Sequence, residues 1–156
     1  VRRHCDRRTL VIEEHLRLLP RLDYGDFMGL FAISHHTIDT IDWNGGNSSM
    51  QSLSLDCPVV TLPTEFMRGR HTVSMLEVLE LPELSAKDVD DYVAISVRLL
   101  QEAAVYAEMK QAIGERKQRL FHDKSVAVAF QTAVETVCRQ RPAVGQLPLE
   151  SQDLAA

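Results

Sequence analysis

No stretch of about 18 consecutive apolar residues occurs in this 156-residue sequence, so no transmembrane helix and no membrane partner is expected. Cysteine is scarce: Cys5, Cys57 and Cys138 are odd in number, far apart and in no CxxC or Cys/His ligand spacing. Neither a disulfide framework nor a zinc site is expected, and a reducing, cytoplasmic setting is the default. Basic charge is not in excess either. Seventeen Lys and Arg face 22 Asp and Glu, for a net charge of −5, with the signs well mixed. That excludes the basic footprint of a nucleic-acid binder. It does not exclude a nucleotide ligand, because backbone dipoles hold a phosphate without net positive charge. The first residues, Val1 to Arg8, lack both an apolar signal core and a starting Met, so the chain is expected to be a piece of something longer. What is present is ordinary for a globular protein: 45% apolar and 25% charged residues, enough for one domain with a sizeable core and no internal repeat.

Along the chain two patterns alternate. His15-Leu16-Arg17-Leu18-Leu19, stopped by Pro20, reads as a buried strand. Asp23 can cap a helix carrying Phe27, Leu30 and Phe31 on one face. Thr37 to Thr40 is a second short strand candidate, followed by a Gly/Asn loop and a short helix with Met50, Leu53 and Leu55. Cys57 to Pro63 is the clearest strand, β-branched and bounded by prolines. His71 to Leu79 has helical spacing, and Glu83 to Ala86 is a last short strand candidate. Asp88 then caps a periodic helix with Val89, Tyr92, Val93, Ile95, Ser96 and Leu99. Residues 103–119 form another, with Tyr106, Met109 and Ile113 inward, and a third runs from about Lys124 to Arg139 with Val126, Phe130, Val134 and Val137. Strand and helix alternating with short links predicts an α/β fold, a Rossmann-like open parallel sheet flanked by helices. Three parts are expected: a partial leading segment at 1–14, a nucleotide-binding domain at 15–139 and a flexible tail at 140–156.

Sheets of that kind bind ligands beyond the carboxyl ends of their strands. The string Asn44-Gly45-Gly46-Asn47-Ser48-Ser49 lies at such a place. Gly45 and Gly46 allow positive φ and close backbone approach. Asn47, Ser48 and Ser49 begin a helix whose unpaired N–H groups and dipole favour an anion, and their side chains add donors. The competing reading is a simple turn with an Asn or Ser cap. The string is neither a Walker motif nor a GxGxxG fingerprint, so its own spacing leaves both readings open.

The wider run is more specific. Ile38-Asp39-Thr40-Ile41-Asp42-Trp43-Asn44-Gly45-Gly46-Asn47-Ser48-Ser49-Met50-Gln51-Ser52-Leu53 is followed by Cys57-Pro58-Val59-Val60-Thr61-Leu62-Pro63 and by Phe66-Met67-Arg68-Gly69-Arg70. Leu81-Pro82-Glu83-Leu84, Ala86-Lys87-Asp88 and Asp91-Tyr92-Val93 continue it. In order and spacing these segments resemble the C-terminal catalytic half of the SPINDLY and O-GlcNAc-transferase family, glycosyltransferase family 41, over roughly residues 16–135. The resemblance implies the second Rossmann-like domain of a GT-B enzyme and a nucleotide-sugar ligand, most often UDP-GlcNAc. It places Gly46, Asn47 and Ser48 where the family holds the diphosphate, with Gly45 and Ser49 beside them. Gln51 falls where the family usually has Glu or Asp on the ribose hydroxyls; Gln keeps one acceptor but loses the charge-assisted bond. Leu22 and Phe27 align with the stretch that contacts the base, and Phe27 is equally explained as a core aromatic. Arg70 matches the family's recurrent Arg, suited to neutralising leaving-group charge. For Arg70, and more so for Arg68, a surface ion pair with Glu65 or Glu77 competes.

Other constellations are set aside. His35 and His36, as adjacent residues, point to opposite faces of a strand and cannot converge on one ion, and they more simply mark the junction into the strand at 37. Asp39 and Asp42 resemble a carboxylate pair, but Asp39 matches a structural Asp that satisfies backbone donors before the loop. No metal and no cofactor beyond the sugar donor is expected, since a helix terminus, hydroxyls and Arg70 can carry the charge. The implied reaction is transfer of a sugar to a protein Ser or Thr with inversion. The acceptor would be held by an N-terminal region missing from this sequence, along with a phosphate-contacting Lys, so the fragment alone is expected to be inert. Two alternatives stay open: a non-catalytic α/β interaction module, favoured by Gln51, and a transferase using UDP-glucose or a GDP-sugar.

Overall fold

The computed structural model describes residues 15–140, and the expectations for 1–14 and for the tail from 141 lie outside them. The chain divides into two compact units, the first closing at Leu120 and the second opening at Phe121.

In the first unit, α1 (Tyr24–Ile33) starts where Asp23 Oδ1 accepts the Asp26 N–H at 2.9 Å, the expected cap. Phe31 is buried, with Phe27 edge-on to it at 5.0 Å. Next, β1 (Thr37–Ile38) pairs in parallel with β2 (Val59–Val60), Thr37 opposite Val59 and Ile38 opposite Val60. Between them runs α2 (Asn47–Ser54), so the pair is a β-α-β crossover. After β2, α3 (His71–Leu79) has the bounds its spacing predicts. The chain returns as a short 3-10 turn at Pro82–Leu84, and Ser85 bridges Thr61, again in parallel. Thr61 donates to Leu84 O at 3.0 Å and accepts from Ala86 N at 2.8 Å. The parallel α/β logic therefore holds, but regular pairing is confined to two residues per strand plus that bridge, and helices dominate. Proline explains part of this: Pro58 and Pro63 bracket β2 and cannot donate to a ladder.

Two long helices complete the unit, α4 (Val89–Gln101) and α5 (Ala103–Arg116). Asp88 caps α4 by accepting the Asp91 N–H at 2.8 Å. Leu53, Val59, Val60, Leu76, Leu79, Leu81, Leu84, Leu99, Met109 and Ile113 form one core, which draws on β2, on α2 to α5 and on the turn between α3 and α4. The basic end of α5 serves other helices' termini rather than its own: Arg116 donates to Leu79 O and Glu80 O at 3.0 and 2.9 Å, and Lys117 to Ser54 O at 3.0 Å. A short helix, α6 (Gln118–Phe121), follows. The second unit holds α7 (Ser125–Gln140), whose periodic Val126, Phe130, Val134 and Val137 are exposed. No helix of the described residues is long and apolar enough to cross a membrane.

One expected element is absent. Residues 16–20 are not a strand; they are non-helical and exposed, Leu18 at 88%. Their apolar residues are all leucines, without the β-branched content that favours a pleated surface, and a short apolar run has no periodicity of its own to decide its conformation.

Candidate functional site

The loop between β1 and α2 is organised by Asp39, which is buried at the end of β1. Its Oδ1 accepts the Thr40 N–H at 3.0 Å and the Gly45 N–H at 2.7 Å. Its Oδ2 accepts the Thr61 hydroxyl at 3.1 Å and the Thr72 hydroxyl at 2.6 Å. Four donors from three segments thus converge on one carboxylate, which sets the loop against the end of β2 and the first turn of α3. The Tyr92 hydroxyl, from α4, donates to Asp39 O. Burial, and then the Asp39 charge, push the Tyr92 phenol up to about 12, so it stays a proton donor at ordinary pH. Asp39 is thus the structural residue its position suggests. Thr61, Thr72 and Tyr92 went unmarked in the sequence, where a lone Thr or Tyr carries no signal until a partner is known.

The loop's two glycines do not do what their composition predicts. Neither has positive φ; the left-handed residue is Asp42, with φ 69°. Gly45 is needed for space instead. A Cβ there would come within 2.6 Å of Ser49 Oγ and closer still to Ser48 Oγ. Gly46, at the N-cap of α2, has nothing within 4 Å of such a Cβ.

From Gly46 the chain turns into α2 with no side-chain cap and no acidic residue in the first turn. The first internal bond is Met50 N–H to Gly46 O at 3.2 Å. The amides of Asn47, Ser48 and Ser49 are therefore left without an intrahelical acceptor. Asn47 is exposed and Ser48 half-buried, whereas Ser49 is buried with its hydroxyl bonded to Thr72 at 2.9 Å. Of the loop's candidate donors, Ser49 thus offers only its amide. Asn44 is 3% exposed; its amide N–H is bonded to Arg68 O at 2.8 Å and its side-chain NH2 to Thr40 O at 2.9 Å. Asn44 Oδ1 is buried without a partner, an acceptor left for a water or a ligand donor.

The remaining candidates surround this cradle. Gln51 sits half-buried one turn into α2, and among the described residues no partner holds its side-chain amide. Arg70 is exposed, at the entry to α3, and accepts the Ser74 N–H at 3.2 Å through its carbonyl. Its segment is fastened to the loop twice, through Asn44 N–Arg68 O and through Thr72, whose hydroxyl also reaches Gly45 O at 3.3 Å. Neither Arg68 nor Arg70 forms the ion pair with Glu65 or Glu77 that competes for them, among the described residues. Arg68 lies instead over the Phe66 ring at 4.5 Å. Leu22 and Phe27 are half-buried, before and on α1, which packs against α2. Phe27 serves the Phe31 contact while keeping part of its surface open.

His35 and His36 require a correction. They mark the junction into β1, as expected, but because they precede the strand its alternation does not separate them, and their Nδ1 atoms are 3.2 Å apart. His35 also stacks on Tyr106, centroids 3.8 Å apart. Burial, and then His35, hold the His36 pKa below its usual 6.5. The unfolded chain therefore binds that proton more readily than the folded one. Stability is expected to be flat above the unfolded value and to fall as pH drops through it toward the folded one. Thermal melts between about pH 7.5 and 5 check this; a slope that persists unchanged in His36→Gln assigns it elsewhere.

The sequence also holds one Asp-x-Asp string, Asp88-Val89-Asp90, but Asp88 is committed to capping α4. A concavity of about 450 Å3 is lined by Val73, Leu76, Glu77, Glu80, Pro82 and Ser85, none of them in the loop. Its two carboxylates and apolar walls suit no phosphate. The donor-rich surface is the open shelf at the start of α2.

A model of glycosyl transferase family 41 matches residues 32–129. A UDP-N-acetylglucosamine--peptide N-acetylglucosaminyltransferase of Caenorhabditis elegans is 38% identical over 76 residues, 49% of this chain and 7% of that protein. A probable UDP-N-acetylglucosamine--peptide N-acetylglucosaminyltransferase SPINDLY of Arabidopsis thaliana is 27% identical over 97 residues, 62% of this chain and 11% of that protein. Among solved structures, a mutant O-GlcNAc transferase of Thermobaculum terrenum superposes with a TM-score of 0.72 at 25% identity, covering 88% of this chain and 26% of that one. The chain thus spans 7% and 11% of the length of these two curated relatives.

Proposed function

The chain belongs to glycosyl transferase family 41, and from that premise we propose that the shelf at Gly45–Gln51 is the donor site of an inverting protein O-glycosyltransferase. In this reading the domain is the second Rossmann-like half of a GT-B enzyme, and its ligand is a nucleotide sugar, UDP-GlcNAc first among the candidates. The observation that carries the reading is the start of α2. Three amides there have no intrahelical acceptor, no acidic side chain competes for them, and a fixed carboxylate network behind the loop holds them in place. A diphosphate satisfies such amides and is favoured by the dipole of the helix end.

The roles follow from position. The amides of Asn47 and Ser48, with the Ser48 hydroxyl, hold the diphosphate. Gln51, on the same face one turn on, meets the ribose through its carbonyl oxygen. Leu22 and Phe27 flank the base. Arg70 approaches the diphosphate from the segment tied to the loop and stabilises the charge that develops as the sugar leaves, an interaction worth more in the transition state than in the ground state. These groups supply leaving-group stabilisation. None of these groups is assigned the acceptor hydroxyl's proton, and in this reading the chain binds donor without turning it over.

Calorimetric titration of the chain with UDP tests the reading. Saturable binding is expected, in the ~0.1–1 mM range of a partial site, and Ser48→Tyr, which lays a ring over the amides, should remove it. Absence of heat at millimolar UDP sinks the donor-site assignment and favours an interaction module on the same scaffold. Saturation by GDP but not UDP keeps the site and changes the base. Incubation with UDP-GlcNAc and a Ser/Thr peptide should give no glycosylated product.

A further inference from the structure

We propose that the exposed aromatic and basic rim beside the shelf, formed by Trp43, Phe66, Met67 and Arg68, is where an acceptor polypeptide lies, and that it selects segments carrying carboxylates and aliphatic residues around the modified Ser or Thr. The inference rests on the donor-site reading above. Trp43 is 72% exposed, Phe66 51% and Met67 78%, a cluster of large apolar side chains that folding leaves in water. They belong to the two loops that the Asn44 N–Arg68 O bond fastens together at 2.8 Å, so the cluster is continuous with the shelf. None of its residues belongs to α1 or the segment before it, which bear the candidates for the base. Aromatic residues, Met and Arg are the residue types that binding surfaces concentrate.

Charge decides the occupant. The chain carries a net charge of −5, yet Phe66-Met67-Arg68-Gly69-Arg70-His71 holds two arginines and no acid. The Arg68 guanidinium lies over the Phe66 ring and is paired with no carboxylate among the described residues. Stacking on the ring orients its planar fork and leaves the N–H edges free for a carboxylate. The occupant must also pass close to the transferable end of the donor, because bond formation needs the hydroxyl within ~3–3.5 Å of the reacting carbon. The Caenorhabditis elegans relative is named for transfer to peptide. A rim of four side chains is well short of the ~1,200 Å2 that a stable protein–protein interface buries, and it suits one extended segment.

Trp43 is the chain's sole tryptophan, so its fluorescence reports on the rim directly. A short Ser-containing peptide with flanking Glu and Val residues should shift Trp43 emission saturably. The same peptide with Lys in place of Glu should bind at least about tenfold more weakly. Arg68→Glu should weaken the acidic peptide by about tenfold or more and leave UDP affinity, measured by calorimetry, unchanged. Equal affinity for the two peptides overturns the inference, as does a chain that binds UDP but neither peptide. A loss of UDP affinity in Arg68→Glu matching the loss for peptide would assign the arginine to the donor instead. Concentration-dependent dimers in sedimentation that Arg68→Glu dissolves would give the rim to a second copy. If UDP and peptide both fail to bind, the donor-site reading falls and the inference with it.

Discussion

Gly45→Ala is expected to abolish the proposed nucleotide binding and to lower the melting temperature, while Gly46→Ala, one residue on, should leave both nearly intact. This contrast is expected because the two glycines meet different surroundings. A methyl group on Gly45 would press on Ser48 Oγ and Ser49 Oγ and come within 3.3 Å of the Ser49 amide. Ser48 can rotate away. Ser49 cannot do so without giving up its 2.9 Å bond to Thr72, which is itself held by Asp39. The clash therefore passes into the network that positions the amides. Overpacking of this kind costs about 1–3 kcal/mol, and a lost buried hydroxyl bond adds roughly 1 kcal/mol. Binding suffers more than stability, because the atoms that move are the proposed phosphate ligands, where an ~1 Å displacement is worth about 100-fold. Gly46 has open space around it and takes φ −90°, which alanine also adopts. Thermal denaturation and UDP calorimetry on both variants check the pair. Equal effects of the two substitutions would mean that the loop is read for flexibility and not for shape.

That contrast also marks what could be read from the residues alone. The place of the loop was legible, since a helix starting near Asn47 after a short strand follows from Gly/Asn chemistry and from the apolar spacing of Met50 and Leu53. The caps Asp23 and Asp88 were legible for the same reason, because each acts on an amide three residues away. The bounds of α3 followed from local periodicity. What the glycines are for was not legible. It depends on Ser49 being held by Thr72, 23 residues away, and so on tertiary structure. The leucine run at 16–19 failed for the complementary reason: its apolar character states a need for burial without stating a partner. His35 and His36 show a third kind of limit. The alternation rule is sound for strands, but the strand begins at Thr37, as expected, so the rule does not govern the two residues before it, whose rings come together.

The largest effect is expected at Asp39. Asp39→Ala removes four acceptor interactions at once and leaves the Gly45 and Thr40 amides and two hydroxyls facing an apolar cavity. Each buried donor left unsatisfied costs about 1–3 kcal/mol, and even with relaxation and water entry the total should reach roughly 3–5 kcal/mol. Against a typical domain stability of ~5–15 kcal/mol, such a chain should be largely unfolded or lost in expression. Asp39→Asn separates the roles of the two oxygens. Its carbonyl can keep the amides of Thr40 and Gly45, which can only donate, while its NH2 group turns to the Thr61 and Thr72 hydroxyls, which can rotate and accept. The opposite orientation would set NH2 against two N–H groups and is excluded. Asp39→Asn should therefore fold, about 1–3 kcal/mol less stable than the parent, the usual value of bonds to a charged group. Its UDP affinity should fall by about tenfold or more, because Thr72, now accepting from the NH2 group, turns its one proton away from residue 39 toward Gly45 O or Ser49 Oγ, which rearranges the hydrogen bonds behind the loop. Thr72→Val in the Asn background then becomes informative. If the carboxylate acts through Thr72, the second substitution should cost much less there than in the parent chain, a non-additivity of at least about 1 kcal/mol. Additive losses would mean that Asp39 and Thr72 hold the loop independently, and the single node behind the phosphate shelf would have to be replaced by two.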